Sequence, residues 1–173
     1  MNLKLKNKFR NIKLLVMDFD GVMTDGFVYV DQNGRETVRA SRKDGLGIEL
    51  LKKHGFLVGV LSKEKNPVVS ARCRKLRIPY WQGLESSSSK LGILKQLLRE
   101  KQLARETVAY IGDDLNDIKV LNYVGLAIAV GDAHPAVKQV ADYTTRSLGG
   151  NHAVREVAEL LLKAHGLEID DLI

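Results

Sequence analysis

The sequence has little cysteine, few aromatic residues and no long apolar run, and each shortage narrows what the chain can be. A single cysteine, Cys73, excludes an internal disulfide framework and fits a reducing, cytoplasmic setting. Aromatic residues make up 6% of the chain and the basic residues are scattered, so no stacking platform for single strands is offered and no nucleic-acid partner is expected. No apolar stretch approaches the roughly 20 residues needed to cross a bilayer. The opening "MNLKLKNKFRNIK" is basic but lacks the apolar core of a secretion signal, so neither membrane insertion nor export is expected.

What remains is the composition of an ordinary soluble domain: 173 residues, 45% hydrophobic and 28% charged. The net charge of +6 admits two readings, attraction to anionic partners such as phosphorylated metabolites, or a lysine-rich solvated surface.

Strand and helix patterns alternate along the chain. Buried strands are predicted at 12–19, 56–62, 107–112 and 126–130, with short ones at "PYWQG" and "YTT". Residues 27–40 read as a β-hairpin turning at Asn33-Gly34. Helices are predicted at 43–55, stopping at Gly55, and at 66–78, with Asn66 as N-cap and Pro67 at the first position. Others are predicted at 86–103, 114–125, "AHPAVKQVA" and 152–166. Repeated βα units predict one α/β domain over 1–173, a doubly wound, mostly parallel sheet with helices on both faces. The tail 167–173, "LEIDDLI", is expected to be ordered by contacts with other chains.

In such sheets the ligand lies beyond the carboxyl ends of the strands. Asp18 and Asp20 follow the first strand in "LLVMDFDGVMTDG", Ser62 ends the second buried one, Lys90 opens a helix, and "GDDLND" places Asp113, Asp114 and Asp117 after another. Each alone has a plainer reading: turn residue or helix cap for an acid, surface charge for a lysine. Together they deliver carboxylates to one rim, where they repel one another. A hard divalent cation relieves that repulsion: Mg²⁺ takes one or two carboxylates and completes its shell with water and phosphate.

"DFDGVMTDG", Ser62, Lys90 and "GDDLND" resemble the four motifs of the haloacid dehalogenase superfamily of phosphotransferases. "KDGLGIELLKKHG" and "GGNHAVRE" narrow the likeness to the small phosphatases of 3-deoxy-octulosonate 8-phosphate and of nine-carbon sugar acids, a module also found behind acylneuraminate cytidylyltransferases. The resemblance implies that Asp18 is a nucleophile forming an aspartyl-phosphate and that Asp20 is the general acid and base. It implies Mg²⁺ held by Asp18, the Asp20 carbonyl and Asp113, with Asp114 or Asp117 supporting. Ser62 and Lys90 would bind the phosphoryl group, and Asp117 would orient Lys90. Arg72, Lys75 and Arg155 are candidates for the substrate carboxylate, and Asp44, in the "KDGLG" stretch, and Glu64 are further substrate-binding candidates. For Arg72 and Lys75 the alternative is a basic helix face.

Two positions depart from the resemblance. His152 stands where the family usually has glycine, and Ser62-Lys63-Glu64 replaces the Thr-Gly-Arg of octulosonate phosphatases. Glu64 with Lys75 looks more like the nine-carbon members, so a nonulosonate 9-phosphate is placed ahead of octulosonate 8-phosphate. The gaps between motifs hold no cap domain, and capless relatives of this kind are homotetramers, which is the assembly expected here. A phosphorylation receiver is excluded because Gly83 and Leu84, not an aspartate, follow the third strand. A non-catalytic interaction module associated with a cytidylyltransferase is the remaining rival, and the retained acids speak against it. Phosphomutase chemistry is disfavoured by the absence of a cap.

Overall fold

The computed structural model describes residues 2–167, so the tail 168–173 lies outside the described residues. The chain begins with a helix that the sequence pattern does not announce, α1 (Leu3–Arg10), capped by Asn2, whose side chain accepts from the Leu5 amide at 2.9 Å. Only Phe9 of this helix is buried, its ring meeting Tyr143 edge-on at 5.7 Å. One buried residue in eight leaves almost no apolar periodicity to read.

The remaining elements run in the expected order. They are β1 (Leu14–Met17), β2 (Thr24–Val30), β3 (Glu36–Ala40), α2 (Arg42–Lys53), β4 (Leu57–Leu61), α3 (Val68–Leu76) and β5 (Tyr80–Trp81). After them come α4 (Ser87–Lys101), β6 (Val108–Gly112), α5 (Ile118–Leu121), β7 (Leu126–Ala129), α6 (Pro135–Val140), β8 (Tyr143–Thr144) and α7 (Ala153–Ala164). Two boundaries differ from expectation for identifiable reasons. The helix expected over 114–125 is a single 3-10 turn, Leu115–Asp117, followed by the four-residue α5. Asp114 and Asp117 draw backbone amides into their own side-chain bonds there. α3 starts at Val68, although Asn66 still accepts from the Val68 amide at 3.1 Å as a cap would.

Six strands form one sheet in the order β5-β4-β1-β6-β7-β8, every neighbouring pair parallel. All residues of β1, β6 and β7 are buried, as continuous apolar runs require when helices cover both faces. The helices pack in two groups, α1 and α2 on α7 with α3 against α2, and α4 and α6 on α5. The chain steps from β1 to β4 on one side and returns to β6 on the other. The carboxyl ends of β1 and β6 therefore flank the crevice where strand order reverses. β2 and β3 form a separate antiparallel sheet, and among the described residues no further domain is inserted between β1 and β4 or between β4 and α4.

Candidate active site

The first acid follows β1 without a gap. The Asp18 amide continues the ladder by donating to the Ile111 carbonyl at 3.0 Å, and its Oδ1 accepts from the Phe19 amide at 2.7 Å. Phe19, Val22 and Met23 are buried in the core, which pins the turn from within and leaves Asp20 half-buried beside the crevice. Gly21 lies in the left-handed region (φ 75°), and a Cβ there would come within 2.0 Å of Asp113 Oδ2. Only glycine allows the two loops this approach.

Ser62 extends β4, its amide donating to the Trp81 carbonyl at 2.9 Å and its hydroxyl accepting from the Glu64 amide at 3.0 Å. Lys90 stands in the first turn of α4, a helix capped by Ser86, and is fully buried. Its Nζ donates to Asp18 Oδ2 at 2.5 Å, Asp117 Oδ1 at 2.8 Å and Asn116 Oδ1 at 3.0 Å, one acceptor for each ammonium hydrogen. Asp117 also accepts from the Tyr110 hydroxyl at 2.6 Å, and its Oδ2 from the Asp113 amide at 3.1 Å.

The electrostatics follow from this crowding. Burial, then the Asp117 charge, pushes Asp18 up to about 7 against the pull of Lys90. Burial, then Asp18 and Asp117, pushes Asp113 up to about 8. Burial opposes the charge on Lys90, yet Asp18 and Asp117 outweigh it and raise its pKa, so the shared proton belongs on the ammonium. Asp20 is raised by burial and by the neighbouring Glu64.

Oxygens of Asp18, Asp113 and Asp117 lie within 4.8 Å of one another. Each oxygen of Asp117 already accepts from two donors, whereas each oxygen of Asp18 accepts from one and Asp113 Oδ1 is buried without any partner. Asp18 and Asp113, which also line the cleft as Asp117 does not, are thus the carboxylates with lone pairs left for a cation, the number that Mg²⁺ ordinarily takes. The donor set is all oxygen and carries excess negative charge. It fits that ion.

Asp18, Asp20, Ser62, Glu64, Asp113 and Asp114 line one open cleft of about 370 Å³ with Lys63 and Asn116. A larger cavity, about 450 Å³, lies at the amino-terminal edge of the sheet among Leu14, Phe56, Leu57, Ile78 and Leu97, where no carboxylate or hydroxyl converges. Lys90 and Asp117 are fully buried and do not line the cleft, and four further candidates do not line it within this chain either. Asp44 is buried and its Oδ1 accepts from the Arg155 amide at 2.8 Å, capping α7 from α2. The Arg155 side chain pairs with Glu159 at 2.6 Å, Arg72 donates to the Ser41 carbonyl at 2.8 Å, and Lys75 is exposed in the last turn of α3. Asn116 and Tyr110 join the site without having been sequence candidates. Asn116 lies inside "GDDLND" and was within reach, but Tyr110 reads as an ordinary core residue of β6.

The "GGN" loop presses on the first motif: a Cβ on Gly149 would meet the Gly21 carbonyl oxygen at 1.8 Å, and one on Gly150 the Asp25 amide at 2.3 Å. His152, just beyond, is held left-handed (φ 79°), the conformation that glycine adopts freely.

A haloacid dehalogenase-like hydrolase family model matches residues 63–157. The 3-deoxy-D-manno-octulosonate 8-phosphate phosphatase KdsC of Escherichia coli K12 is 44% identical over 160 residues, 92% of this chain and 84% of that protein. The chain belongs to the haloacid dehalogenase-like hydrolases. Solved haloacid dehalogenase-like structures agree in fold. The 3-deoxy-D-manno-octulosonate 8-phosphate phosphatase of Moraxella catarrhalis, in complex with magnesium ion, phosphate ion and KDO, superposes with a TM-score of 0.89 at 36% identity, covering 94% of this chain and 92% of that one. The Yersinia pestis phosphatase of the same name gives 0.91 at 39% identity, covering 99% and 90%.

Proposed function

We propose that this protein is a Mg²⁺-dependent phosphatase that hydrolyses the phosphate monoester of a 2-keto-3-deoxy sugar acid, with octulosonate 8-phosphate as its substrate. The observation that carries the reading is the buried Lys90–Asp18 pair beside the partnerless Asp113 carboxylate, in a chain whose relatives bear that activity in their names.

The chemistry assigned to the residues is as follows. An Asp18 carboxylate oxygen bonds to phosphorus as the ester P–O bond breaks, and Asp20 gives its proton to the departing alkoxide. Asp20 then takes a proton from water, whose oxygen attacks phosphorus, releasing phosphate and restoring Asp18. Lys90 and the Ser62 hydroxyl hold the equatorial oxygens, on which charge is spread during transfer. Asp18, the Asp20 carbonyl and Asp113 would hold Mg²⁺, which would supply fixed positive charge beside the transferring group. Asp117 holds Lys90, and Asp114 caps the 3-10 turn beside it.

Glu64 supports a second reading. It lines the cleft where octulosonate phosphatases carry arginine, and an acid there can accept hydrogen bonds from the longer tail of a nonulosonate 9-phosphate. The names of the relatives favour the eight-carbon ester over the nine-carbon one that Glu64 and Lys75 suggest. Comparing kcat/KM on the two esters with Mg²⁺ decides between them: preference for octulosonate 8-phosphate supports the first reading, and reversed preference replaces it with the second. No Mg²⁺-dependent phosphate release from either ester or from p-nitrophenyl phosphate would return the protein to the non-catalytic reading.

Further parts of the reading are assembly as a homotetramer and residence in the cytoplasm. Phe27, Val28, Tyr29 and Val30 expose 51–74% of their surface in consecutive positions on β2. An apolar hairpin edge of this kind is normally covered. Sedimentation at micromolar concentration should give particles of about four times the 19.3 kDa chain mass, and purely monomeric particles would remove the assembly. The buried free thiol of Cys73 suits a reducing compartment. Among the described residues no helix is long and apolar enough to cross a membrane.

A further inference from the structure

The hairpin leaves the first motif at Thr24 and turns back at residues 31–35, so Glu36 lies at its far end, opposite Val30. There the Glu36 carboxylate meets the loop that follows β4: its Oε2 accepts from Asn66 Nδ2 at 3.1 Å. Both residues are half-buried. Gly26, near the root of the hairpin, and Ser62, Lys63 and Glu64, at the start of that loop, line the same cleft.

Asn66 is fixed on every side. Its Oδ1 accepts from the Val68 amide at 3.1 Å, which orients the side-chain amide and turns Nδ2 toward Glu36. Its own backbone amide donates to Glu64 Oε1 at 2.7 Å, beside the Lys65 amide at 2.6 Å. The Glu64 amide in turn donates to the Ser62 hydroxyl. A continuous run of hydrogen bonds thus leads from Glu36 through Asn66 and Glu64 to Ser62.

We propose that Glu36 is a positioning residue: by holding Asn66 it fixes the loop 62–66, and with it the Ser62 hydroxyl that receives the phosphoryl group. The hairpin then spans the cleft as a strap, rooted beside Asp18 and Asp20 and fastened to the opposite wall by this one side-chain bond. Ordering of the loop is coupled to the seat of the hairpin. The inference rests on the phosphoryl-transfer reading above for its kinetic consequence, but the ordering of the loop does not depend on it.

The test uses the full chain with Glu36→Ala, Glu36→Gln, Asn66→Asp and the double variant Glu36→Gln/Asn66→Asp. Glu36→Gln keeps an acceptor for Asn66, so that variant should match the parent. Asn66→Asp sets two carboxylates against each other. In the double variant the introduced carboxamide donates to the introduced carboxylate, which still accepts from the Val68 amide. Amide exchange at residues 64–66, followed by mass spectrometry without substrate, should quicken about tenfold in Glu36→Ala and Asn66→Asp. It should return to the parent rate in the double variant. With Mg²⁺, kcat on p-nitrophenyl phosphate and on octulosonate 8-phosphate should fall together by about tenfold in the same two variants, with KM changed less than about threefold and recovery in the double. Parent-like exchange in Asn66→Asp, or a double variant no better than Asn66→Asp, overturns the proposal. Activity absent from the parent on both esters would count against the function alone, since the exchange measurement still judges the strap.

Discussion

Lys90 Nζ lies 2.5 Å from Asp18 Oδ2, with the lysine side chain fully buried and the aspartate 6% exposed. An ion pair so dry stabilises only if every remaining hydrogen and lone pair is satisfied. Here Asp117 and Asn116 take the other two ammonium hydrogens. The pair draws Asp18 toward its charged form against the burial that raises its pKa, and it ties α4 to the end of β1 across 72 residues of sequence.

Removing the cation should be costly. Lys90→Met strands Asp18 and Asp117 without a counter-charge, and the metal-free protein should lose about 3–5 kcal/mol. Thermal unfolding in chelator should show a fall of roughly 6–20 °C, and adding Asp117→Asn should restore part of it. An unchanged midpoint would mean that the carboxylates are already neutral.

Replacing the proposed nucleophile should abolish turnover. Asp18→Asn keeps the shape of the side chain but cannot form the aspartyl-phosphate, so kcat on p-nitrophenyl phosphate should fall by at least about 10³-fold. Chelation of the parent should do the same, reversibly on return of Mg²⁺.

The pH dependence of stability has a definite sign. Asp18 and Asp113 are raised from 3.8 to about 7 and about 8, so the folded protein holds protons that the unfolded chain releases. Stability conferred by those protons is lost as pH rises from about 4 through 8. Calorimetry of the metal-free protein should therefore show its midpoint falling over that range. Mg²⁺ at about 100 times its Kd should raise the midpoint by roughly 5–11 °C, and by more at pH 8 than at pH 6, where protons compete.

His152 occupies a conformation that costs a residue with a Cβ about 1–2 kcal/mol. His152→Gly relieves that strain but frees the unfolded chain, so a net gain of up to about 1 kcal/mol is expected, seen as a rise of roughly 2–4 °C. A loss would show that the imidazole makes a contact worth more than the strain.

How much of this could be read from the chain alone depends on the range of the interaction. The strands and most helices were legible because apolar runs of the length of Leu14–Met17 and Val108–Gly112 fix a buried strand locally. The acids, Ser62 and Lys90 were legible because strand ends in a parallel sheet share one rim. Helix α1 was not, because Phe9 is its only buried residue and leaves no apolar period to read. Asn116 and Tyr110 escaped because what they do depends on where Lys90 and Asp117 point. Arg72, Arg155 and Asp44 carried suggestive chemistry, but Ser41, Glu159 and the end of α7 engage them within the chain.

The order of residues by itself decided the alternation of strand and helix and which groups would gather at one edge, because side-chain period and strand polarity are local properties. Only the folded molecule decided that Asp117 is committed to Lys90 while Asp113 keeps a free oxygen, and that Glu36 reaches across to Asn66. Those assignments are competitions for hydrogen bonds among groups far apart in the chain, and their outcome is set by distances of a few tenths of an ångström that no pattern of residues encodes.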